Sequence, residues 1–356
     1  MKIRSIRAWR EGLELTRPYT IAYSTFSAVE IFFVVIETEE GLVGLGSGSP
    51  VEAITGESTE ICAAALEPDK LEWLIGQDVR HVENLCRRLP EALGNAPAAC
   101  AAVDIALHDL FARCLDLPLV DVLGRCHQEL PTSVTIGIKP VDETLEEAQE
   151  YLGRGFQILK IKTGRSVEED LDRLSRLREA VGSGVKIRVD ANQAYSAEET
   201  LTFFEVFDSL DLEFVEQPFH EKDSDGYRAF PEDIRSCIAA DESLRNESDA
   251  LALSHPPAAC GIYNIKLMKC GGIRPALRIA SIAHIAGVDL MWGCMDESVI
   301  SIAAALHTAF ACRNTKYLDL DGSLDLARDL ATGGFTIENG LMRLAEGVGL
   351  GVALAQ

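Results

Sequence analysis

Charged side chains end a series of short apolar runs in the second half of this 356-residue chain. Each run has the length and composition of a buried β-strand. The residues at or near their ends are Lys160, Lys162, Asp190, Asn192, Glu216, Asp241 and Lys266. A single charge at a strand end is usually solvated, but five successive strands that end in this way indicate one shared site.

Three of these residues are carboxylates that would come from neighbouring strands: Asp190, Glu216 and Asp241. Side by side, they would repel one another and raise each other's pKa. A divalent cation relieves that repulsion, and all-oxygen ligands favour Mg²⁺. We therefore predict a magnesium site on these three residues. The alternative is a set of interstrand salt bridges in a purely structural barrel.

Lys160 and Lys162 lie two residues apart and therefore on the same face of one predicted strand. A proton on a carbon next to a carboxylate is hard to remove unless a metal stabilises the resulting enediolate and a base stands nearby. A neighbouring ammonium group lowers the pKa of a lysine, which helps it to act as that base. The pattern predicts an enzyme that removes and returns a proton beside a substrate carboxylate, with Lys266 on the opposite side.

The elements that must position these residues form a repeat that begins after Pro131. The predicted strands are Ser133–Ile138, Gln157–Lys162, Lys186–Asp190, Phe214–Glu216, Ile238–Asp241, Tyr263–Lys266, Asp289–Trp292 and Tyr317–Asp319. Amphipathic helical patterns lie between them, as in Glu143–Gly153, Val167–Val181, Ala197–Leu210, Pro275–Ala286 and Ser298–Ala311. This alternation predicts parallel βαβ units, and eight strands spaced by about 25 residues fit a barrel, whose strand ends carry the chemistry.

The first part of the chain has a different pattern. Its first 50 residues read as β-structure with a hairpin turn at Glu39-Glu40-Gly41, and the segment from about Glu57 to Leu123 reads as helical. Within it, Ala98–Cys114 follows Pro97 and is apolar on most of its surface. We predict a capping domain of residues 1–125, a barrel of residues 126–324, and a C-terminal segment, 325–356, that returns to the cap.

Composition excludes several classes of function. A net charge of −23 disfavours nucleic acid and anionic membranes, but it suits a small cationic partner. The ten cysteines are scattered without a C-x-x-C pair, as in proteins of reducing compartments. The N-terminus lacks the apolar stretch of a signal peptide, and Ile31–Ile36 is too short to span a bilayer. We predict a cytoplasmic protein, and a homo-oligomer is compatible with the sequence.

The motifs at the predicted strand ends resemble those of the enolase superfamily, muconate-lactonizing subgroup. They are Lys160-Ile-Lys162, Asp190-Ala-Asn192, Glu216-Gln-Pro218, Asp241-Glu-Ser243 and the run from Asn264 to Gly272. The resemblance implies a modified TIM barrel, (β/α)7β, with an N-terminal α+β cap. The superfamily is a standard example of Mg²⁺ combined with a lysine base, so it implies Lys162 and Lys266 as a two-faced acid/base pair. Lys160 and Thr135 would contact the substrate.

Asp319 and Asp321 follow the last predicted strand and are similar to the Asp-x-Asp pair of dipeptide epimerases, which holds a free α-ammonium group. Two carboxylates in a closed site need a cation, and a dipeptide supplies one. A turn or helix-cap role before Gly322 is the structural alternative. Two other functions stay open: an N-acylamino acid racemase or cycloisomerase on the same scaffold, and a non-catalytic barrel that binds small molecules.

Three further residues bear on which dipeptide is used. Ser24 stands where the L-Ala-Glu enzymes of this family have an Arg in the mobile loop of the cap, matched here to residues 18–25. Asp296, after the seventh strand, and Glu52, in the cap, add negative charge near the expected mouth. A lost Arg and added acids favour a Lys or Arg side chain on the substrate. Asp296 as a helix cap and Glu52 as a solvated charge are the alternatives.

Two other features are assigned to structure. Gly44-Leu-Gly-Ser-Gly48 follows a hairpin and does not open a βαβ unit, so it predicts turn and strand packing and not a dinucleotide site. His108 and His307 lie in apolar helical runs, where a histidine with satisfied hydrogen bonds is more common than a metal ligand.

Overall fold

The computed structural model describes residues 1–21 and 24–355. The chain begins with an antiparallel sheet in the order β1-β2-β3, formed by β1 (Ile3–Ile21), β2 (Ser24–Thr38) and β3 (Val43–Gly48). Six helices follow: α1 (Glu52–Thr55), α2 (Thr59–Ala65), α3 (Pro68–Leu71), α4 (Val82–Leu93), α5 (Pro97–Cys114) and α6 (Leu119–Leu123). Two 3-10 turns, Glu72–Leu74 and Val79–His81, lie among them. The long β1–β2 hairpin extends the predicted strands into the loop matched above, residues 18–25, two of which lie outside the described part.

Close packing of β3 on α5 accounts for the glycine-rich run. A Cβ atom at Gly44, Gly46 or Gly48 would overlap a backbone carbonyl oxygen of the helix. Those oxygens belong to Ala106, Ala102 and Ala98, respectively. The run therefore has the structural role that its sequence predicted, since only glycine lets the strand approach the helix backbone so closely.

An eight-stranded parallel sheet forms the centre of the molecule. After the short strand β4 (Glu129–Pro131), its strands are β5 (Val134–Ile136), β6 (Ile158–Lys162), β7 (Lys186–Asp190), β8 (Leu212–Glu216), β9 (Ile238–Ala240), β10 (Ile262–Ile265), β11 (Asp289–Gly293) and β12 (Thr315–Asp319). They pair in sequence order. The first and last approach each other through a parallel bridge between Thr132 and Leu318, next to a hydrogen bond from the Ser133 N–H to the Leu318 carbonyl.

The helices on the outside of the sheet alternate with its strands. They are α7 (Val141–Gly153), α8 (Val167–Val181), α9 (Ala197–Glu205), α10 (Glu232–Ser236), α11 (Glu247–Ser254), α12 (Leu267–Cys270), α13 (Ile273–Ala286) and α14 (Val299–Ala311). The 3-10 segment Glu221–Ala229 precedes α10 between β8 and β9. Among the described residues no α-helix follows β12, where a 3-10 turn, Gly322–Leu324, takes its place, so the predicted (β/α)7β barrel with an α+β cap is confirmed.

The C-terminal segment contains four short strands. They are β13 (Ala331–Gly333), β14 (Phe335–Glu338), β15 (Leu341–Leu344) and β16 (Val352–Leu354). β13 pairs with β16, and β14-β15-β4 form a small sheet. Buried Asp109 of α5 accepts hydrogen bonds from the N–H of Leu45 and of Leu350, at 2.9 and 2.8 Å. These contacts support the predicted return to the cap, while the boundaries at 125 and 324 stay a prediction.

Among the described residues, the model contains no helix that is both long and apolar enough to cross a membrane. Its ten thiols are free. Helices α5 and α14, both nearly all apolar, lie buried where the cap meets the barrel.

Candidate active site

A cavity of about 680 Å³ lies at the carboxyl ends of the barrel strands, beneath the cap. Two lysines on opposite sides of the barrel both line it: Lys162, the last residue of β6, and Lys266, which directly follows β10. The other barrel residues along its wall are Thr135, Lys160, Cys294, Met295, Asp296, Asp319, Asp321 and Gly322, and the C-terminal segment contributes Asp325. The cap contributes Tyr19, Phe26, Val29, Val51 and Ile54. Polar barrel groups therefore face a largely apolar lid.

Lys160 lies at the centre of the acidic residues. Its ammonium nitrogen is 2.7 Å from Glu216 Oε2, 2.8 Å from Asp319 Oδ2 and 3.1 Å from Asp190 Oδ2. Burial opposes its charge, but Asp319, Glu216 and Asp190 together raise the pKa of Lys160 well above its ordinary value. These three carboxylates hold Lys160 in its charged form, which suits it to stabilise negative charge.

The two other lysines each contact one carboxylate of the predicted metal site. Lys162 Nζ lies 2.6 Å from Asp190 Oδ2, and Lys266 Nζ lies 2.8 Å from Asp241 Oδ2. Burial opposes the charge of Lys266, yet Asp241 and Glu216 raise its pKa above the ordinary value. The geometry thus brings both predicted acid/base lysines to the cavity, on different strands and on different carboxylates.

The three predicted metal ligands have unequal charge states. Burial favours protonation of Asp190, but Lys162 and Lys160 lower its pKa to about 2. For Glu216, burial and repulsion from Asp190 raise the pKa to about 8. Burial also opposes ionisation of Asp241, which Lys266 and Lys269 overcome, so that its pKa is lowered. The raised pKa of Glu216 is the expected sign of one negative charge too many for the nearby cations.

Buried oxygen atoms test whether these residues suit a metal ion. Among the described residues, Glu242 Oε2, Asn192 Oδ1 and Asn264 Oδ1 are buried without a hydrogen-bond donor, whereas Glu216 Oε2 is paired with the Lys160 ammonium group. Their amide partners are already used, since Asn264 Nδ2 donates to Glu216 Oε1 at 2.6 Å and Asn192 Nδ2 donates to Glu242 Oε1 at 3.3 Å. Clustered oxygens without donors, beside carboxylates, fit a hard cation such as Mg²⁺.

Asp319 and Asp321 occur on one wall, joined through Thr135. Asp319 Oδ1 accepts from the Ser133 hydroxyl at 2.6 Å, and Asp321 Oδ2 accepts from the Thr135 N–H at 2.7 Å. Burial and repulsion from Asp319 raise the pKa of Asp321 to about 8. The pair is held by the ends of strands β5 and β12 and still faces the cavity, as a site for a cation requires.

The residues predicted to choose the substrate have different fates. Asp296 lines the cavity, and burial and repulsion from Asp321 raise its pKa to about 7. It does not cap α14, because the Ser298 hydroxyl accepts from the Ile300 N–H in that position. Glu52 is exposed, and neither it nor Ser24 is among the described residues along the cavity wall. Their predicted contacts with substrate therefore have no support from the geometry.

Sequence reasoning missed several buried acids and one of their partners. Asp325 lines the cavity from the C-terminal segment, and it could have been noticed as the third acid of Asp319-Leu-Asp-Gly-Ser-Leu-Asp325. Glu242 and Glu297 are two further buried acids. Burial is the main cause that raises the pKa of each to about 7. Lys269 is the partner, and it donates to Asp241 and to the Asn264 carbonyl.

Comparison with known proteins agrees with this geometry. Residues 3–124 match the mandelate racemase / muconate lactonizing enzyme N-terminal domain, and residues 143–356 match the enolase C-terminal domain-like family. This chain belongs to the enolase superfamily. The predicted membership of this superfamily is thereby confirmed. The predicted class of enzyme is confirmed as well, since related members of the family are epimerases and therefore isomerases.

Two relatives match over almost the full length of the chain. The L-Lys-D/L-Arg epimerases of Methylococcus capsulatus and Desulforapulum autotrophicum are each 56% identical over 352 residues, which is 99% of this chain and 99% of each relative. The crystal structure of the Methylococcus capsulatus dipeptide epimerase, complexed with Mg and the dipeptide L-Arg-D-Lys, has a TM-score of 0.98. It covers 99% of this chain and 100% of its own, at 56% identity.

Proposed function

We propose that this protein is a magnesium-dependent dipeptide epimerase that acts on dipeptides containing Lys or Arg. It inverts the Cα of the C-terminal residue by 1,1-proton transfer. The observation that carries the proposal is the placement of Lys162 and Lys266 on opposite sides of one cavity, with the Asp319–Asp321 pair on its wall. The two relatives that share 56% of their residues have this substrate class in their names.

Asp190, Glu216 and Asp241 would hold the magnesium ion. When bound, Mg²⁺ acts as a Lewis acid on the substrate carboxylate and makes the neighbouring Cα–H bond more acidic. Lys160, held in its charged form, stabilises the negative charge that spreads onto that carboxylate when the proton leaves.

Lys162 and Lys266 carry the proton. One of them, neutral before the step, takes the α-proton and becomes an ammonium ion, while Cα becomes planar. The other, already an ammonium ion, donates its proton to the opposite face of Cα and becomes neutral. Atoms and charge balance, since one proton leaves and one arrives. Because β6 and β10 are four strands apart, the two lysines face Cα from opposite directions.

The N-terminal end of the dipeptide binds to the last strand. Its free α-ammonium group pairs with Asp319 and Asp321, which together carry more negative charge than their protein partners neutralise. This pairing favours a free amine over an acylated one, and so a dipeptide epimerase over an N-acylamino acid racemase. Asp296, which lines the same cavity, adds the preference for a cationic side chain.

Exchange of the α-proton tests the proposal. Purified enzyme with Mg²⁺ in D₂O should introduce deuterium at the C-terminal Cα of L-Arg-L-Lys and of its L-Arg-D-Lys epimer, as followed by NMR. Lys162→Ala and Lys266→Ala should each abolish epimerisation, and each should leave exchange with only one of the two epimers. Chelation of the metal should stop all exchange.

Controls separate the alternatives. N-succinyl-L-Arg lacks the free amine, so its turnover at a rate equal to that of the dipeptide would favour a racemase. A complete absence of exchange on dipeptides and acylated amino acids, with Mg²⁺ bound, would favour a binding protein without catalysis.

We further propose a cytoplasmic location, supported by ten free thiols. The charge of −23 supports the proposal that small molecules, and not nucleic acids or membranes, are its partners. A homo-oligomer stays a prediction.

A further inference from the structure

A second cavity, of about 710 Å³, adjoins the active-site cavity. The two share three wall residues: Tyr19, Thr135 and Asp325. The second cavity lies between the β1 hairpin and the start of α7, and its other residues include Arg17, Lys139 and Glu147. A side chain that leaves the active-site cavity on this side would pass among these three residues, of which Asp325 is the only acid.

Asp325 is the acid at this junction that has no cation of its own. Among the described residues, its carboxylate makes no hydrogen bond to a side chain and no ion pair within 4 Å, whereas Lys139 and Arg17 both pair with Glu147. Asp325 is fixed through its backbone, because its carbonyl accepts from the Thr16 N–H at 2.7 Å. Burial and the nearby charge of Asp296 raise the pKa of its carboxyl to about 7. Its carboxylate is thus positioned but not neutralised.

The order of residues along the wall indicates which part of a dipeptide would reach Asp325. Asp321 and then Lys162 are the charges that act most strongly on Asp296, so Asp296 lies between the α-ammonium site and the reacting Cα. The strongest charges on Asp325 are instead Asp296, Arg17 and Glu147, and it follows Asp321 by one 3-10 turn. Asp325 therefore lies beyond the α-ammonium site, on the side of the N-terminal residue.

We infer that Asp325 binds the cationic side chain of the N-terminal residue of the dipeptide, at the passage from the active-site cavity into its neighbour. This inference rests on the proposed dipeptide epimerase function and extends it by separating two specificities. Asp325 selects the N-terminal side chain, and Asp296 acts on the C-terminal one. A Lys or Arg side chain has the length to reach a carboxylate beyond the α-ammonium group, and its charge replaces the missing partner.

Two isomeric dipeptides, L-Lys-L-Ala and L-Ala-L-Lys, test the inference. Asp325→Asn keeps the size and shape of the side chain and removes its charge. It should lower kcat/KM for L-Lys-L-Ala by about tenfold or more, mostly through KM, and leave L-Ala-L-Lys within about twofold. Asp325→Glu should recover part of the loss. Asp142→Asn, a change at an exposed acid at the start of α7, should leave kcat/KM unchanged for both dipeptides.

An equal loss on both dipeptides, or no loss on either, would overturn the inference. Calorimetric binding of the same two dipeptides to the Mg²⁺-loaded protein keeps it separate from the proposed function. If the wild-type protein epimerised neither dipeptide, the proposed function would fail. The inference would then stand only if Asp325→Asn still weakened the binding of L-Lys-L-Ala more than that of L-Ala-L-Lys. It would fall if the affinity for L-Lys-L-Ala were unchanged.

Discussion

Asn264 contacts a predicted metal ligand without being one itself. Its amide donates to Glu216 Oε1 at 2.6 Å, and both side chains are fully buried. Glu216 is the ligand whose pKa burial and Asp190 raise to about 8, so it is the ligand that most needs a donor to hold it ionised and oriented. Groups that orient a metal ligand in this way contribute to affinity although they never touch the ion.

Replacement of Asn264 by Leu should therefore weaken metal binding. The change keeps the approximate volume but removes the donor, and we expect Mg²⁺ affinity to fall by about 10–100-fold. Calorimetric titration of the substrate-free protein with Mg²⁺ measures this directly. Asn84→Leu, at an exposed position, is the control. Unchanged affinity in the Asn264 variant would show that Glu216 does not bind the metal or does not depend on this amide.

The charged residues at the strand ends could be predicted because each follows a recognisable apolar run. Lys160, Lys162 and Lys266 line the cavity, as their positions indicated. Glu216 and Asp241 pair with two of these lysines. Asp325 has only its spacing from Asp319 and Asp321 as a signal in the sequence, since it reaches the cavity because the C-terminal segment docks on the β1 hairpin. Glu52 looked equivalent in sequence, yet α1 turns it outward and directs Val51 and Ile54 to the cavity instead.

At the scale of elements, β3 packs directly against the backbone of α5. A Cβ atom at Gly46 would overlap the Ala102 carbonyl, which belongs to a helix backbone that cannot move independently. We expect Gly46→Ala to lower the free energy of unfolding by about 1–3 kcal/mol, as overpacked cores do. Chemical denaturation measures the change. Gly153→Ala, where an added Cβ meets no atom within 4 Å, should be neutral or slightly stabilising.

His307, on α14, connects this helix to α6 and to the C-terminal segment. Its Nδ1 accepts from the Val120 N–H of α6 at 3.0 Å, so its Nε2–H faces the Leu350 carbonyl at 3.4 Å. Protonation would place an N–H against the Val120 N–H. Burial is the main reason that the pKa of His307 falls to about 4. The predicted core role of His307 agrees with these contacts.

This lowered pKa predicts a pH dependence of stability. A depressed folded-state pKa stabilises the protein above the unfolded value of about 6.5, and the contribution is lost as pH falls toward 4. Between pH 8 and pH 5.5 we expect His307 to remove about 1.4 kcal/mol from the free energy of unfolding. His307→Gln should be less stable at pH 8 and should lack this part of the pH dependence. A denaturation series at both pH values would contradict the prediction if the two proteins changed in parallel.

The sequence predicted the order of the barrel elements better than their ends. α9 ends at Glu205, where Leu210 was predicted, and α13 begins at Ile273, two residues before Pro275. The connection between β8 and β9 consists of a 3-10 segment and the short α10, and not of one long helix. Periodicity identifies a buried face, but the position where a helix stops depends on caps and loop contacts, which no repeat encodes.

The molecule as a whole carries a net charge of −23. We propose that its cavity receives a cation. Long-range attraction should therefore speed the capture of cationic dipeptides and weaken with added salt. We expect kcat/KM for L-Arg-L-Lys to fall several-fold as NaCl rises from about 10 to 300 mM. The value for uncharged-side-chain L-Ala-L-Ala should change much less. Equal salt effects on both dipeptides would rule out steering by the overall charge.

Asp109 links residues from both ends of the chain, since it accepts from the Leu45 and Leu350 N–H groups and pairs with Arg113. During synthesis on the ribosome, the cap sheet and α5 emerge first, but the donor from Leu350 arrives only when almost all of the polypeptide has been made. Until then, a buried carboxylate lacks one of its partners. A nascent chain that stalls before Leu350 would therefore keep an incomplete cap.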